Sequence, residues 1–341
     1  MGKKQTYELK PQRRDPSFKL VEKNLPAKKY KKGSPAQIRL SFEFGGDGEG
    51  RTTQFIDIAK ALSAVNRKMY RQGVYYYVNS VELYDSADSV VNLHVIPDNW
   101  VSRAAYRRAK GIYDEMNDRA RQTMGSLPGK YHDFRVYMTP LHKTQGSRRA
   151  SLHGVNDFAV TIVNDDWDYS EFVTSDVNNA AAPADEFTGH MLGGDVQSGS
   201  GATSNVDSVG IIASYAATRA TVQNDNPNLQ NLQMDDPLLN MFDYSPEEVQ
   251  NDVINNLNAA NDEPPYDIDL YVGASANHMQ HVARLASTDF AGRVVQDEGF
   301  CAPLGLICVD PLNTNPADNT YRIVLNLAPG TYHGVYAERM A

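Results

Sequence analysis

The chain has 341 residues, 41% of them hydrophobic and 22% charged, with a formal net charge of −9, enough for one large domain or two ordinary ones around a substantial core. No apolar run approaches the roughly 18 residues that cross a bilayer, and charge from Lys3 onward is wrong for a secretory leader. Two cysteines, Cys301 and Cys308, without a CxxC spacing argue against a disulfide framework or zinc knuckle and for reduced thiols.

Residues 1–36 come first and are unlike the rest. They carry four prolines, no sustained apolar periodicity and a net charge of +8. Such a segment buries too little apolar surface to offset the entropy of ordering, so it is expected to be a flexible arm. Its eleven cations, Lys3, Lys4, Lys10, Arg13, Arg14, Lys19, Lys23, Lys28, Lys29, Lys31 and Lys32, are the predicted nucleic-acid-binding residues. They can neutralise phosphates and release counterions without a fixed geometry. Tyr7, Phe18 and Tyr30 are interleaved among them and can stack on unpaired bases. The run "KKYKK" at 28–32 also fits a nuclear localisation signal, a pattern that arises often by chance.

"QIRLSFEF" then places Ile38, Leu40, Phe42 and Phe44 on one face of a half-buried strand. The glycine-rich "GGDGEGRTT", Gly45 to Thr53, follows with the spacing of a phosphate-binding P-loop. Arg51 replaces the lysine, Asp47 and Glu49 would repel phosphate, and the preceding strand alternates instead of reading as a continuous apolar run. A turn leading into a helix is the preferred reading. Residues 54–71 carry Phe55, Ile58, Leu62, Val65 and Met69 at helical spacing. "GVYYYVNSVELYD" and "SVVNLHVI" read as strands, and 101–124 as a helix with Ala105, Ala109, Ile112, Met116 and Ala120 on one stripe. The surrounding segment 102–150 has a net charge of +7, including Arg103, Arg107, Arg108, Lys110, Arg148 and Arg149.

Strand signals continue at "DFRVYMT", "FAVTIV" and "SEFVTSD". Residues 177–208 have almost no apolar anchor and are expected to form a long surface loop. "VGIIASYAATRATVQ", "DIDLYVG", "LGLICV", "RIVLNLA" and "GVYAE" read as strands, and "SPEEVQNDVINNLNAAN" as a helix capped by Ser245. From residue 152 onward there is no lysine, and the net charge is −22. Cations toward the beginning and carboxylates toward the end suit a chain that meets polyanion with one part and stays solvated with the other.

Other constellations carry less. His278 and His281 have an i, i+3 spacing that can chelate metal on a helix, with no third ligand in view. The pairs Asp165–Asp166 and Asp235–Asp236 suit structural calcium between subunits, with solvated acidic loops as the commoner outcome. No catalytic residue and no metal ligand is assigned, and no cofactor is expected beyond that calcium. Irregular alternation of strands and helices after residue 130 disfavours a parallel βαβ sheet. The expected fold is all-β with helical insertions: an antiparallel jelly-roll β-sandwich over 37–341, one barrel favoured and a double barrel the alternative.

The basic arm, the β-rich body with "YYYVNSVELYD", "HVIPDNWVSRAAYRRAKGIYDEM", "GKYHDFRVYM", "SYAATRATVQ" and "GFCAPLGLICVD", and the acidic distal half together resemble the capsid proteins of small icosahedral single-stranded DNA viruses of unclassified, environmental type. The resemblance spans most of the chain through organisation and scattered phrases. It implies a non-enzymatic shell protein that self-assembles into a many-subunit homo-oligomer around viral genomic nucleic acid. It places the chain in the virion, with the host nucleus as a station during assembly where the host is eukaryotic. The alternatives are a P-loop-type nucleotide hydrolase using Gly45–Thr53 and Asp310, and a non-viral nucleic-acid-binding module.

Overall fold

The computed structural model describes residues 7–8, 21–22, 35–44, 52–85, 89–124, 131–148, 150–151, 167–174, 185–198, 205–219, 266, 270–287, 293–312 and 321–340. In chain order the strands are β1 Tyr7–Glu8, β2 Val21–Glu22, β3 Arg39–Phe44, β4 Gln54–Asp57, β5 Val74–Tyr84, β6 Ser89–Val95, β7 Ser147–Arg148, β8 Ala150–Ser151, β9 Glu171–Thr174 and β10 Asp185–His190. They continue as β11 Val196–Ser198, β12 Asn205–Gly210, β13 Gln280–Ser287, β14 Arg293–Gln296, β15 Phe300–Pro303, β16 Leu306–Pro311, β17 Tyr321–Leu327, β18 Pro329–Tyr332 and β19 Ala337–Arg339. The helices are α1 Ile58–Asn66, α2 Trp100–Met124, α3 Pro140–Gln145 and α4 Ile211–Arg219.

Period-2 alternation builds the body, a mostly β sandwich of two largely antiparallel sheets. One sheet runs β14-β5-β17-β3-β8, with β15 and β19 also on β5. The other runs β13-β6-β16-β4-β7. Register aligns the apolar faces: Leu83, Ile323 and Phe42 lie side by side across the first sheet, as do Val81, Leu325 and Leu40. Across the second, Leu285 meets Val91, Leu93 meets Val309, and Val95 meets Ile307, which meets Ile56. All of these side chains belong to one buried cluster between the sheets. Phe44 and Tyr321 close one end, their rings stacked 5.0 Å apart.

The opposite face of the second sheet is covered too. Phe55, Leu306 and Cys308 enter a second buried cluster with Val101, Ala105, Tyr106, Ala109 and Tyr113 of α2, Ile211, Ile212 and Tyr215 of α4, and Phe134, Val136 and Met138. The described elements of this layer that lie between Val95 and Gln280 form one insertion, whose β7 and β8 also pair with β4 and β3 at the sandwich edges. Val95 and Gln280 are paired across β6 and β13, so the insertion leaves and returns at adjacent points. It includes a third sheet, β11-β12-β10-β9.

Four expectations need correction. The helix expected over 54–71 is strand β4 followed by α1 alone. Gln54–Asp57 pair with Val309–Leu306, sending Phe55 and Ile56 into different clusters, and Asp57 then caps the helix by accepting from Lys60 N (3.0 Å). "IIASYAATR" is helix α4, because it buries Ile211, Ile212 and Tyr215, a spacing of three to four, and its alanines favour helix. The loop expected over 177–208 contains β10, β11 and most of β12. "DFRVYMT" makes only one isolated bridge, Tyr137 to His190. Gln72 Oε1 and His142 Nδ1 take the Val136 and Met138 N–H groups that a ladder would use (2.6 and 3.0 Å).

"DIDLYVG" falls partly outside the described residues, and its described part turns at Tyr271–Ala274. "FAVTIV" and the helix expected at 245–261 lie outside them, as do Asp165–Asp166 and Asp235–Asp236. So do all eleven cations of the arm, of which β1 and β2 form a two-strand antiparallel pair.

Candidate functional site

The cations of α2 and its surroundings are mostly committed to neighbours. Arg103 grips Asp98 with two nitrogens (2.9 and 2.8 Å). Lys110 pairs with Asp114, Arg119 with Glu115 and Arg121 with Asp118, all along the helix surface. Lys143 pairs with Asp207 (2.7 Å). Arg148 donates to Gln54 Oε1 and Arg108 to Thr218 Oγ1. Lys130 and Arg149 lie outside the described residues. A formal +7 over 102–150 therefore overstates the field that this surface projects. Exposed Arg107 and Arg108 are the cations of α2 without a described carboxylate partner.

The described flanks of the glycine-rich loop do not support the P-loop alternative. Gly45–Arg51 lie outside the described residues. Among the described residues, the strand before them, β3, is antiparallel to β17, and the element after them is strand β4 and not a helix. Thr53 Oγ1 donates to Asp310 Oδ1 (2.9 Å), joining β4 to β16 side by side. His278 and His281 do not share a helix: His278 closes a turn, and His281 sits on β13 with its ring edge-on to His94 at 5.3 Å. Among the described residues, no three His, Cys, Asp or Glu side chains converge as a metal site. Burial pushes the Cys301 thiol up to about 11 and Cys308 up to about 12, so neither is an activated thiolate.

Sequence reasoning missed the most elaborate polar arrangement among the described residues. Asp57, His142 and Gln72 are fully buried where β4, α3 and the insertion meet. Thr139 caps α3, its hydroxyl accepting from His142 N (3.2 Å), with Pro140 in the first turn. His142 Nδ1 accepts from Met138 N, so Nε2 carries the proton and donates to Ser147 Oγ at 2.6 Å. Ser147 reaches the Tyr169 hydroxyl (3.0 Å), which donates to Asp57 Oδ2 (3.4 Å), and Gln72 Nε2 donates to the same oxygen (3.2 Å). The polarity of this chain is His142 to Ser147 to Tyr169 to Asp57. A histidine that already donates to the serine cannot take its proton, so the pair is not wired as base and nucleophile. Burial lifts the Asp57 carboxyl to about 6 and depresses His142 to about 3. The five residues are scattered from 57 to 169, and nothing in their spacing announces them.

Beside this network lies a cavity of about 680 Å³ between the C-terminal half of α2, residues 131–137 and β9. Tyr113, Tyr131, Tyr137, Trp167 and Tyr169 line it, with Asn117, His132, Asp133, Arg135, Asp168 and Glu171. Arg135 lies over the Trp167 ring at 4.0 Å, and Tyr137 stacks on Tyr169 at 3.8 Å.

No protein family, no curated protein and no solved structure matches this chain.

Proposed function

We propose that this chain is a jelly-roll capsid subunit that assembles into an icosahedral shell and packages genomic nucleic acid, single-stranded DNA, through residues 1–36. The strand order is the observation that carries the reading. Take β3, β4, β5, β6, β13, β14 with its continuation β15, β16 and β17 as strands one to eight. One sheet then runs one–eight–three–six and the other two–seven–four–five. Such interleaving of successive strands between facing sheets supports a jelly roll, an architecture used by viral shells and lectins. The charge distribution supports the packaging role, with +8 on the arm and −22 after residue 152. Local pairing along α2 supports a reading in which the arm does most of the packaging, with Arg107 and Arg108 beside it.

Negative-stain microscopy of the expressed full chain, with its absorbance ratio at 260 and 280 nm, tests the proposal. Discrete many-subunit particles containing nucleic acid are expected, and a chain lacking residues 1–36 should give particles depleted of it. A stable monomer would favour a nucleic-acid-binding module instead, and unchanged nucleic-acid content after the deletion would remove the arm's role.

A further inference from the structure

We infer that His94 on β6 and His281 on β13 together chelate a divalent transition-metal ion of the zinc and copper class. The two residues are directly opposite each other in the antiparallel pair. Their ring centres are 5.3 Å apart, and the ring planes are inclined at 73°. A zinc ion at about 2.1 Å from an imidazole nitrogen lies about 3.2 Å from that ring's centre, so two rings meeting it at the tetrahedral angle have centres about 5.2 Å apart. Inclined planes also intersect, and an ion on the line of intersection lies in the plane of both rings, where their lone pairs point. Stacked rings share no such line.

A local irregularity produces the pairing. Residues 281 and 283 of a regular strand would face the same way, and Ala283 points into the core between the sheets. The register shifts between His281 and Ala283, and this bulge turns His281 to the face of His94, away from Leu93 and Val95. Neither ring is engaged elsewhere by a hydrogen bond with a described residue. His281 is exposed and His94 half-buried, with no ring nitrogen sealed from solvent. Asp310 lies on the same face, one strand further, and its charge reaches His94. Asp310 Oδ1 accepts from Thr53 Oγ1, which leaves Oδ2 to attract the ion. Imidazoles suit zinc, copper and nickel, whereas calcium and magnesium take oxygen ligands. No third side chain converges on the pair among the described residues, so water completes the coordination. The histidines stand one residue from Val95 and Gln280, so a bound ion ties together the two ends of the insertion. The inference holds whether or not the chain assembles into a shell.

Calorimetric titration of the untagged full chain with zinc chloride at neutral pH tests the inference. A site with a dissociation constant below about 100 μM is expected, and H94Q and H281Q should each weaken it at least about tenfold. A roughly hundredfold excess of calcium or magnesium should not displace the zinc. His281 is exposed, so H281Q should fold as the unaltered chain does. Zinc should raise the thermal midpoint of the unaltered chain, because it joins β6 to β13, and leave that of H281Q in place. The proposal is overturned if no zinc binds in that range, if H281Q binds it as tightly as the unaltered chain, or if calcium displaces it.

Discussion

Asp57 and His142 respond to pH in opposite senses across one window. Burial raises Asp57 from 3.8 to about 6, so between those values the folded chain holds a proton that the unfolded chain has released. The stability this group contributes is complete below pH 3.8 and is lost as pH rises through 6. Burial lowers His142 from 6.5 to about 3, so there the unfolded chain holds a proton that the folded chain refuses. This contribution is complete above pH 6.5 and is lost as pH falls toward 3. The two slopes offset each other. Asp57→Asn keeps the helix cap and exposes the histidine's slope: stability should fall by about 1.4 kcal/mol per pH unit as pH drops from 6 to 4. His142→Gln should show the reverse slope in the same window. Urea denaturation at a series of pH values measures both, and a flat profile in either variant would count against the assigned shifts. A second residue-scale feature is the turn before β16, where Leu304 and Gly305 both have positive φ (58° and 69°). A Cβ on Gly305 would meet the Tyr76 ring at 2.8 Å, so Gly305→Ala should cost at least about 2 kcal/mol in the same measurement.

Among the elements, what hydropathy encodes was readable and what polar side chains encode was not. β3, β5, β6, β16 and β17 follow from alternating or continuous apolar residues, and α2 from its stripe. β10 and β12 carry no such pattern. They are tied together by His190, whose Nδ1 meets Ser208 Oγ at 2.7 Å while Nε2 donates to Gly194 O, and the Lys143–Asp207 pair fastens β12 to α3. The cavity was equally illegible, since its walls come from four segments joined only by the fold. On the outer face of the first sheet, Glu82 ties four strands together: it accepts from Arg39, Tyr84, Asn326 and Arg293 at 2.6–3.1 Å. Burial alone would raise its pKa, but these partners outweigh it and hold the carboxyl below the usual glutamate range. Its contribution is therefore present above the unfolded value of 4.5 and lost as pH falls below it. Glu82→Gln should cost about 1–2 kcal/mol near neutral pH, a modest loss because both arginines are more than half exposed and recover water when released. Thermal melts of the variant check this.

For the whole molecule, the division of charge sets how it meets nucleic acid. Eleven arm cations on single-stranded DNA predict a plot of log affinity against log salt with a slope no steeper than about −8. Titrating the full chain with a labelled oligonucleotide at several salt concentrations measures it, and removing residues 1–36 should flatten the slope nearly to zero. A slope that survives the truncation would move binding onto the folded body, with Arg107 and Arg108 the first residues to replace. The charge asymmetry was plain in the sequence; its partial cancellation along α2 became visible only when Asp98, Asp114, Glu115 and Asp118 were seen beside their cations.

Because Val95 sits directly across from Gln280, the insertion begins and ends at a doorway one strand-spacing wide, touching the sandwich in between through β7 and β8 at the sheet edges. Such a doorway makes the sandwich a socket. A short hairpin, or an unrelated domain with neighbouring termini, can be spliced there without disturbing the pairing of β6 with β13, at a closure cost that grows only slowly with the length of the guest. The host would need Phe55, Leu306 and Cys308 exchanged for polar residues, since the native occupant is what keeps those side chains dry.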